Sequence, residues 1–129
     1  MNARTPAQDT PTMRIRLTVD GKAIEATLLD NATARDFASL LPLTLTLEDY
    51  NSTEKISHLP RKLSTAGTPA GVDAAPGDIA YYAPWGNLAI FYKDFGYSKG
   101  LIRLGRIDSG LDGLAGRDSL KAMVEASRK

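Results

Sequence analysis

Gly77-Asp-Ile-Ala-Tyr-Tyr-Ala-Pro-Trp-Gly-Asn-Leu-Ala-Ile-Phe-Tyr92 is the stretch on which the fold turns. Residues 78–83 and 88–92 are short and rich in Ile, Tyr and Phe, the composition of strands that fit a pleated, packed surface. Between them stands Pro84-Trp-Gly-Asn87. Proline pre-sets φ for a turn and glycine supplies positive φ, so this is a tight strand–turn–strand connection.

Upstream, residues 14–19 alternate, with Ile15, Leu17 and Val19 on one face, and then comes Asp20-Gly21. Asp-Gly favours a two-residue hairpin because both turn positions take positive φ. Folding there sets Leu17 opposite Ile24, Ile15 opposite Ala26 and Arg16 opposite Glu25, so apolar meets apolar and charge meets charge. Residues 31–41 combine a capping Asn31 or Thr33 with Ala and Leu and end at Pro42, which predicts a helix of two to three turns across one end of a barrel. Leu43-Thr-Leu-Thr-Leu-Glu48 alternates strictly and reads as a half-buried strand. Residues 49–76 are polar and turn-rich; Lys55-Ile-Ser-His58 and Arg61-Lys-Leu-Ser64 are the candidate short strands hidden there. Downstream, residues 93–100 read as an aromatic loop, 101–107 as a strand and 109–116 as a turn or single helical turn. Residues 118–126 fit both a strand and a helix. A closing strand is favoured, because an all-β sheet hides its edges by closure. Residues 1–12 have no periodic pattern and are expected to be a disordered tail, with residues 13–129 forming the domain.

Composition narrows the function classes. The 129 residues suffice for one domain. Sixteen Lys and Arg against fifteen Asp and Glu leave a net charge of +1, which argues against nucleic acid and against a polybasic membrane anchor. Without Cys and with one His, thiolate chemistry and the usual zinc sites are absent, and no cofactor or metal is expected. No apolar run approaches the ~18 residues of a membrane helix, and residues 1–12 lack the features of a secretory signal. The expectation is a cytoplasmic domain; no feature fixes an oligomeric state.

The stretch 77–92 resembles the "GD-I-x-Y-(W/Y)-x-P-x-G-x-x-x-(A/C)-I-F-(F/Y)" segment of the bacterial cyclophilin-like fold family. Leu41-Pro-Leu-Thr-Leu-Thr-Leu-Glu-Asp-Tyr50 is similar to the family's earlier segment, and Leu104-Gly-Arg-Ile-Asp-Ser-Gly110 to its strand and turn near the end. The likeness runs over residues 13–125. It implies an all-β fold, a closed cyclophilin-like barrel of about eight strands with one or two short helices. It brings no established reaction. True cyclophilins isomerise X-Pro bonds with an Arg in a Phe-His-Arg stretch and a later Met-x-Gln-Gly-Gly-Asp stretch, and this sequence has neither.

The candidate site residues come from the aromatic-rich region. Trp85, at a turn, is either part of a contact surface or a plug for the barrel end. Tyr82, Trp85, Phe91, Tyr92, Phe95 and Tyr97 lie within sixteen positions. Alternation sends about half of such a set into the core and leaves the others for an apolar groove. Glu48, Asp49 and Glu54 lie close in sequence to Lys55, Arg61 and Lys62; paired carboxylates can do acid–base work or hold a cation, but at a strand end they are expected to be solvated. Arg103 and Arg106, three apart on one strand, should face opposite ways, so that one points to the barrel side or its rim and needs Asp108, Glu48 or a ligand anion. His58 has no identifiable catalytic partners.

Three functions are expected. The first is a non-catalytic binding module taking a peptide or small ligand at a rim of Tyr82, Trp85, Tyr92 and Tyr97, with Glu48 near and a basic residue such as Arg61 or Arg103. The second is a peptidyl-prolyl isomerase in which Arg103 or Arg61 is catalytic, hydrogen-bonding the twisting amide beside an aromatic pocket. The third is a partner-binding accessory subunit.

Overall fold

The structure, a computed structural model, describes residues 11–114 and 118–127. The tail read over residues 1–12 falls mostly outside them, although the first strand already begins at Pro11. Among the described residues ten strands, one α-helix and one 3-10 turn occur in the order β1 (Pro11–Val19), β2 (Lys22–Leu29), α1 (Ala32–Ala38), β3 (Leu43–Tyr50), β4 (Glu54–His58), β5 (Gly71–Ala74), β6 (Asp78–Tyr82), β7 (Asn87–Phe91), β8 (Gly96–Lys99), β9 (Leu101–Ser109), the 3-10 turn Leu111–Gly113, and β10 (Ser119–Ala126). Eight strands close an antiparallel barrel in the order β1-β10-β3-β4-β7-β6-β9-β2.

The hairpin register is set by the turn. Asp20 and Gly21 have φ of 52° and 77°, and Leu17 faces Ile24 while Arg16 faces Glu25, whose ion pair is 2.9 Å long on the outer surface. The ambiguous end is a strand: β10 pairs with both β1 and β3 and so closes the barrel. Alternation sends Ile15, Leu17, Ile24, Leu45, Leu47, Ile79, Tyr81, Ile90 and Leu120 into one interior core. Asn31 caps α1 by accepting from the Ala34 N–H at 2.7 Å, and the helix adds Ala34 and Phe37 to that core.

Three local expectations fail. Residues 61–64 form no strand; Leu63 reaches the core from a loop, and its N–H donates to the Tyr81 hydroxyl at 3.0 Å. The loop read over residues 93–100 contains β8, which pairs with β5 as a separate two-stranded ribbon. Arg103 and Arg106 do not face opposite ways. A bulge against β6, where Ile79 and Ala80 pair with Gly105 and Arg103, leaves Leu104 as the extra residue. Ile102, Leu104 and Ile107 all enter the core, so both arginines lie on the outer side. Gly105 is what permits the bulge: a Cβ there would lie 2.1 Å from the Thr27 carbonyl oxygen of β2.

The ribbon creates a second layer. Ala80 and Ala89, opposite each other on the outer faces of β6 and β7, are small enough for it to approach. Ala74, Ala80, Ala89, Phe91 and Leu101 are buried there as a second core, with Ile56, Val72 and Tyr82 packed at its margin. Within the ribbon, a Cβ on Gly71 would meet the Ser98 carbonyl oxygen at 2.3 Å, so the β5–β8 contact also needs glycine.

Candidate functional site

Where the ribbon stops short, the outer face of the barrel stays open. Registers put Tyr50, Glu54 and Phe91 in one row across β3, β4 and β7. His58 and Asn87 form a second row at the far end of the same strand pair, continued by Tyr82 of β6. Trp85, in the β6–β7 turn, is 57% exposed and stands over this face. It meets Tyr50 edge-on at 5.7 Å and 86° and Tyr82 at 5.4 Å and 82°. The perpendicular packing matches positive ring edges to negative ring faces and holds the indole upright. On the opposite wall Phe95, beside the ribbon, packs on Phe91 at 5.5 Å.

Two depressions result. One, of about 190 Å³, lies between Trp85 and the ribbon and is lined by Tyr50, Glu54, Tyr82, Phe91 and Phe95. The other, of about 300 Å³, lies on the β3 side with Thr46, Glu48 and His58. They share Ile56, Trp85 and Asn87, so they form one groove divided by the indole. Trp85 is therefore not a plug for the barrel end.

Two polar groups in this groove are left wanting. Asn87 is 3% exposed; its Nδ2 donates to the Leu88 carbonyl at 3.0 Å, while its Oδ1 has no partner. Glu54 is 8% exposed and its side chain makes no hydrogen bond or ion pair among the described residues. Burial first, and the nearby negative charge of Asp49 second, push its carboxyl up to about 7. Among the described residues no Lys or Arg lines either depression.

The sequence-predicted residues divide accordingly. Tyr82, Trp85 and Glu48 line the groove. Tyr97 is exposed on the ribbon and lines neither depression. Tyr92 lies outside the groove as well, its hydroxyl donating to Asp49 Oδ1. Arg61 forks onto Asp36 of α1 at 2.8 and 3.0 Å and donates to Ser39, fastening the loop to the helix. That guanidinium, with the Ser64 N–H, holds Asp36 down to about 2. Arg103 donates to the Asp73 carbonyl at 2.7 Å and lies 3.4 Å from Asp78, tying β9 to the ribbon and the start of β6. Its partner is thus Asp78 rather than Asp108, which accepts from Thr27 at 2.6 Å, or Glu48. Neither arginine belongs to the aromatic groove.

The expectation of solvated carboxylates fails for two of three. Besides Glu54, Asp49 is held close to Lys55, whose side chain is 0% exposed and whose Nζ lies 3.5 Å from Asp49 Oδ1 without making a hydrogen bond. The Tyr92 hydrogen bond is the main reason Asp49 lies below the usual carboxylate range, and Tyr92 is pushed up to about 12 by burial and by that carboxylate. The described residues contain no cluster of three or more His, Asp or Glu able to hold a metal.

This architecture has relatives. The Cyclophilin-like family model matches residues 17–125. The chain belongs to the cyclophilin-like family. Among solved structures, the solution structure of the hypothetical protein AF2241 from Archaeoglobus fulgidus is similar, with TM-score 0.64 and 22% identity over 89% of this chain and 95% of that one. At that identity the likeness speaks for the fold alone. None of the curated proteins matches. Among the described residues no helix is long and apolar enough to cross a membrane.

A larger hollow, about 460 Å³, opens beside the Asp20-Gly21 turn of this cyclophilin-like barrel. It is lined by glycines, Asp20, Lys22 and Asp112 with Val19, Ala23 and Ile24, and it has no aromatic residue. Volume alone favours that hollow. Aromatic walls and the buried, unpartnered Asn87 Oδ1 favour the groove at Trp85, because those are the surfaces and groups that a ligand desolvates and satisfies.

Proposed function

We propose that this cyclophilin-like domain is a non-catalytic binding module that takes a peptide or small ligand in the groove on either side of Trp85. The observation that carries this reading is an exposed indole, braced by Tyr50 and Tyr82, above a floor containing the unpartnered Asn87 Oδ1. A large aromatic held upright in water is a contact surface prepared in advance, since its ordering is complete before the ligand arrives.

Binding is favoured over prolyl isomerisation by the position of the cations. Isomerisation wants a fixed donor aimed at the prolyl amide, and the two candidate arginines are occupied by Asp36 and by Asp73 with Asp78. The test is a proline-isomerisation assay beside a titration of the same X-Pro peptide followed through the single Trp. No acceleration is expected over the uncatalysed time of tens to hundreds of seconds. Turnover that vanishes in Trp85→Ala would replace this reading with the isomerase.

A further inference from the structure

We infer that the groove between Trp85 and the ribbon selects a cationic N–H donor, a primary ammonium or a guanidinium carried on an apolar stem. This deepens the binding-module reading and rests on it.

Three independent features of the same wall point to that chemistry. The first is the carboxylate. Glu54 is nine-tenths buried beside Phe91 and Tyr50, with no donor to satisfy it among the described residues. Its oxygens are not among the fully buried atoms that lack a partner, so they stay open to the groove, and a ligand that covered them would leave a costly bare charge unless it brought a cation. The adjoining cation is engaged elsewhere: Lys55, next along β4, points to the opposite face and sits at Asp49. The second is Asn87, whose amide nitrogen is spent on a backbone carbonyl and whose oxygen is left as a further buried acceptor. Acceptors left unpaired in a lining favour a ligand that brings donors. The third is the aromatic wall. Tyr50, Tyr82 and Trp85 present ring faces and edges around an open mouth, and a desolvated cation is attracted to ring faces.

The sign of charge is selective. The chain carries 16 Lys and Arg and is net positive, yet among the described residues no Lys or Arg lines the groove, whose formal charges come from Glu54 and Glu48. An anionic ligand would meet repulsion at Glu54 and no counter-charge. A neutral apolar ligand would bury the two acceptors without satisfying them. The small depression at Glu54, about 190 Å³, suits one ammonium or guanidinium head and its stem. The depression beyond Trp85 extends the path towards Thr46 and His58 and would receive the remainder of a longer ligand.

The groups facing Glu54 are Tyr50 from β3 and Tyr82 from β6, with Glu48 and His58 across the indole, while Asp49 and Tyr92 act on it from the other face of the sheet, where Lys55 sits at Asp49. On the groove side none of these brings a fixed positive charge. With its carboxyl near 7, Glu54 gains charge over the range in which an amine keeps its own, so cation selectivity should rise with pH across that range.

The experiment uses three probes of one shape on the full chain at pH 8: benzylammonium, benzyl alcohol and benzoate, each titration read from the indole resonance of Trp85. Benzylammonium is expected to bind about tenfold or more tightly than benzyl alcohol, and benzoate most weakly. Glu54→Gln, tested at the same pH, should bring benzylammonium down to the level of benzyl alcohol. At pH 5.5 the ammonium preference of the natural chain should shrink towards that of the variant. Equal binding of all three probes, or an ammonium preference that survives Glu54→Gln, overturns the cation assignment and leaves the binding module standing. Failure of every probe to move the Trp85 resonance overturns both. An N- and C-capped Gly-Lys-Gly peptide separates the two sources of such a group. Tighter binding than benzylammonium, with shifts spreading to Thr46 and His58, identifies a peptide side chain; weaker binding confined to the Glu54 side identifies a free amine.

Discussion

Replacing Glu54 with Gln should stabilise the protein at neutral and alkaline pH and do nothing at low pH. The carboxyl has an ordinary value of 4.5 and is raised to about 7 in the folded chain. At about 1.4 kcal/mol for each tenfold change, that penalty on the charged form is on the order of 3 kcal/mol; water at the open groove mouth reduces it to about 2 kcal/mol. The sign depends on which state holds the proton. Between pH 4.5 and about 7 the folded chain keeps a proton that the unfolded chain has released, so stability falls as pH rises through this window. Glutamine has the same shape and cannot ionise, so it removes the fall. Urea unfolding monitored by circular dichroism at pH 4.5 and pH 8 reads the effect without relying on the indole. With a slope of about 1–2 kcal/mol/M for a domain of this size, the variant's midpoint should rise by about 1 M or more at pH 8 and coincide with the natural chain's at pH 4.5. Other titrating groups cancel in the comparison. A variant that is less stable at pH 8, or a difference equal at both values, would mean that Glu54 has a donor and that the reasoning is wrong.

Other outcomes test separate parts of the structure. Asp49→Asn strands the buried Lys55 ammonium and should cost about 3 kcal/mol in urea unfolding, whereas Lys55→Met, which keeps the apolar stem, should be neutral or stabilising. Gly105→Ala drives a Cβ into the Thr27 carbonyl of a neighbouring strand and should lower stability by about 3 kcal/mol or more; a melting temperature like the natural chain's would contradict the bulge. Trp85→Ala should lower the unfolding free energy by only about 1–2 kcal/mol, the worth of its two edge-on contacts, because more than half of the indole is exposed, while removing binding.

Much of the barrel is legible in the sequence because strong local signals coincide with the global pairing. Asp20-Gly21 fixes a turn whose only self-consistent register buries Leu17 and Ile24 together, and the closing β10 is demanded by edge protection. The ribbon is not legible. Gly71-Val-Asp-Ala74 and Gly96-Tyr-Ser-Lys99 are four residues each, do not alternate, and meet only across a long stretch of chain. The faces of Arg103 and Arg106 are misread because strict alternation holds only where no bulge intervenes. At the site, Tyr82 and Trp85 announce themselves by their place in an aromatic-rich turn. Tyr50 does not, being 35 positions from the indole it braces. The burial of Glu54, Lys55 and Asn87 is missed for one physical reason: their residue types are seldom buried, and only the packing of β3, β4 and β7 with the ribbon shows that they are. The signal that does exist for Glu54 is its place opposite Phe91 once β4 is paired with β7.

The most direct test of the groove at Trp85 is a chemical-shift map of the 15N-labelled chain titrated with benzylammonium at pH 8. The largest shifts should fall on the Trp85 indole and on Tyr82, Asn87 and Phe91, with Val19, Lys22 and Gly113 unmoved. Shifts centred instead on the larger hollow at Val19, Lys22 and Gly113 would contradict the placement of the site and every functional statement built on it.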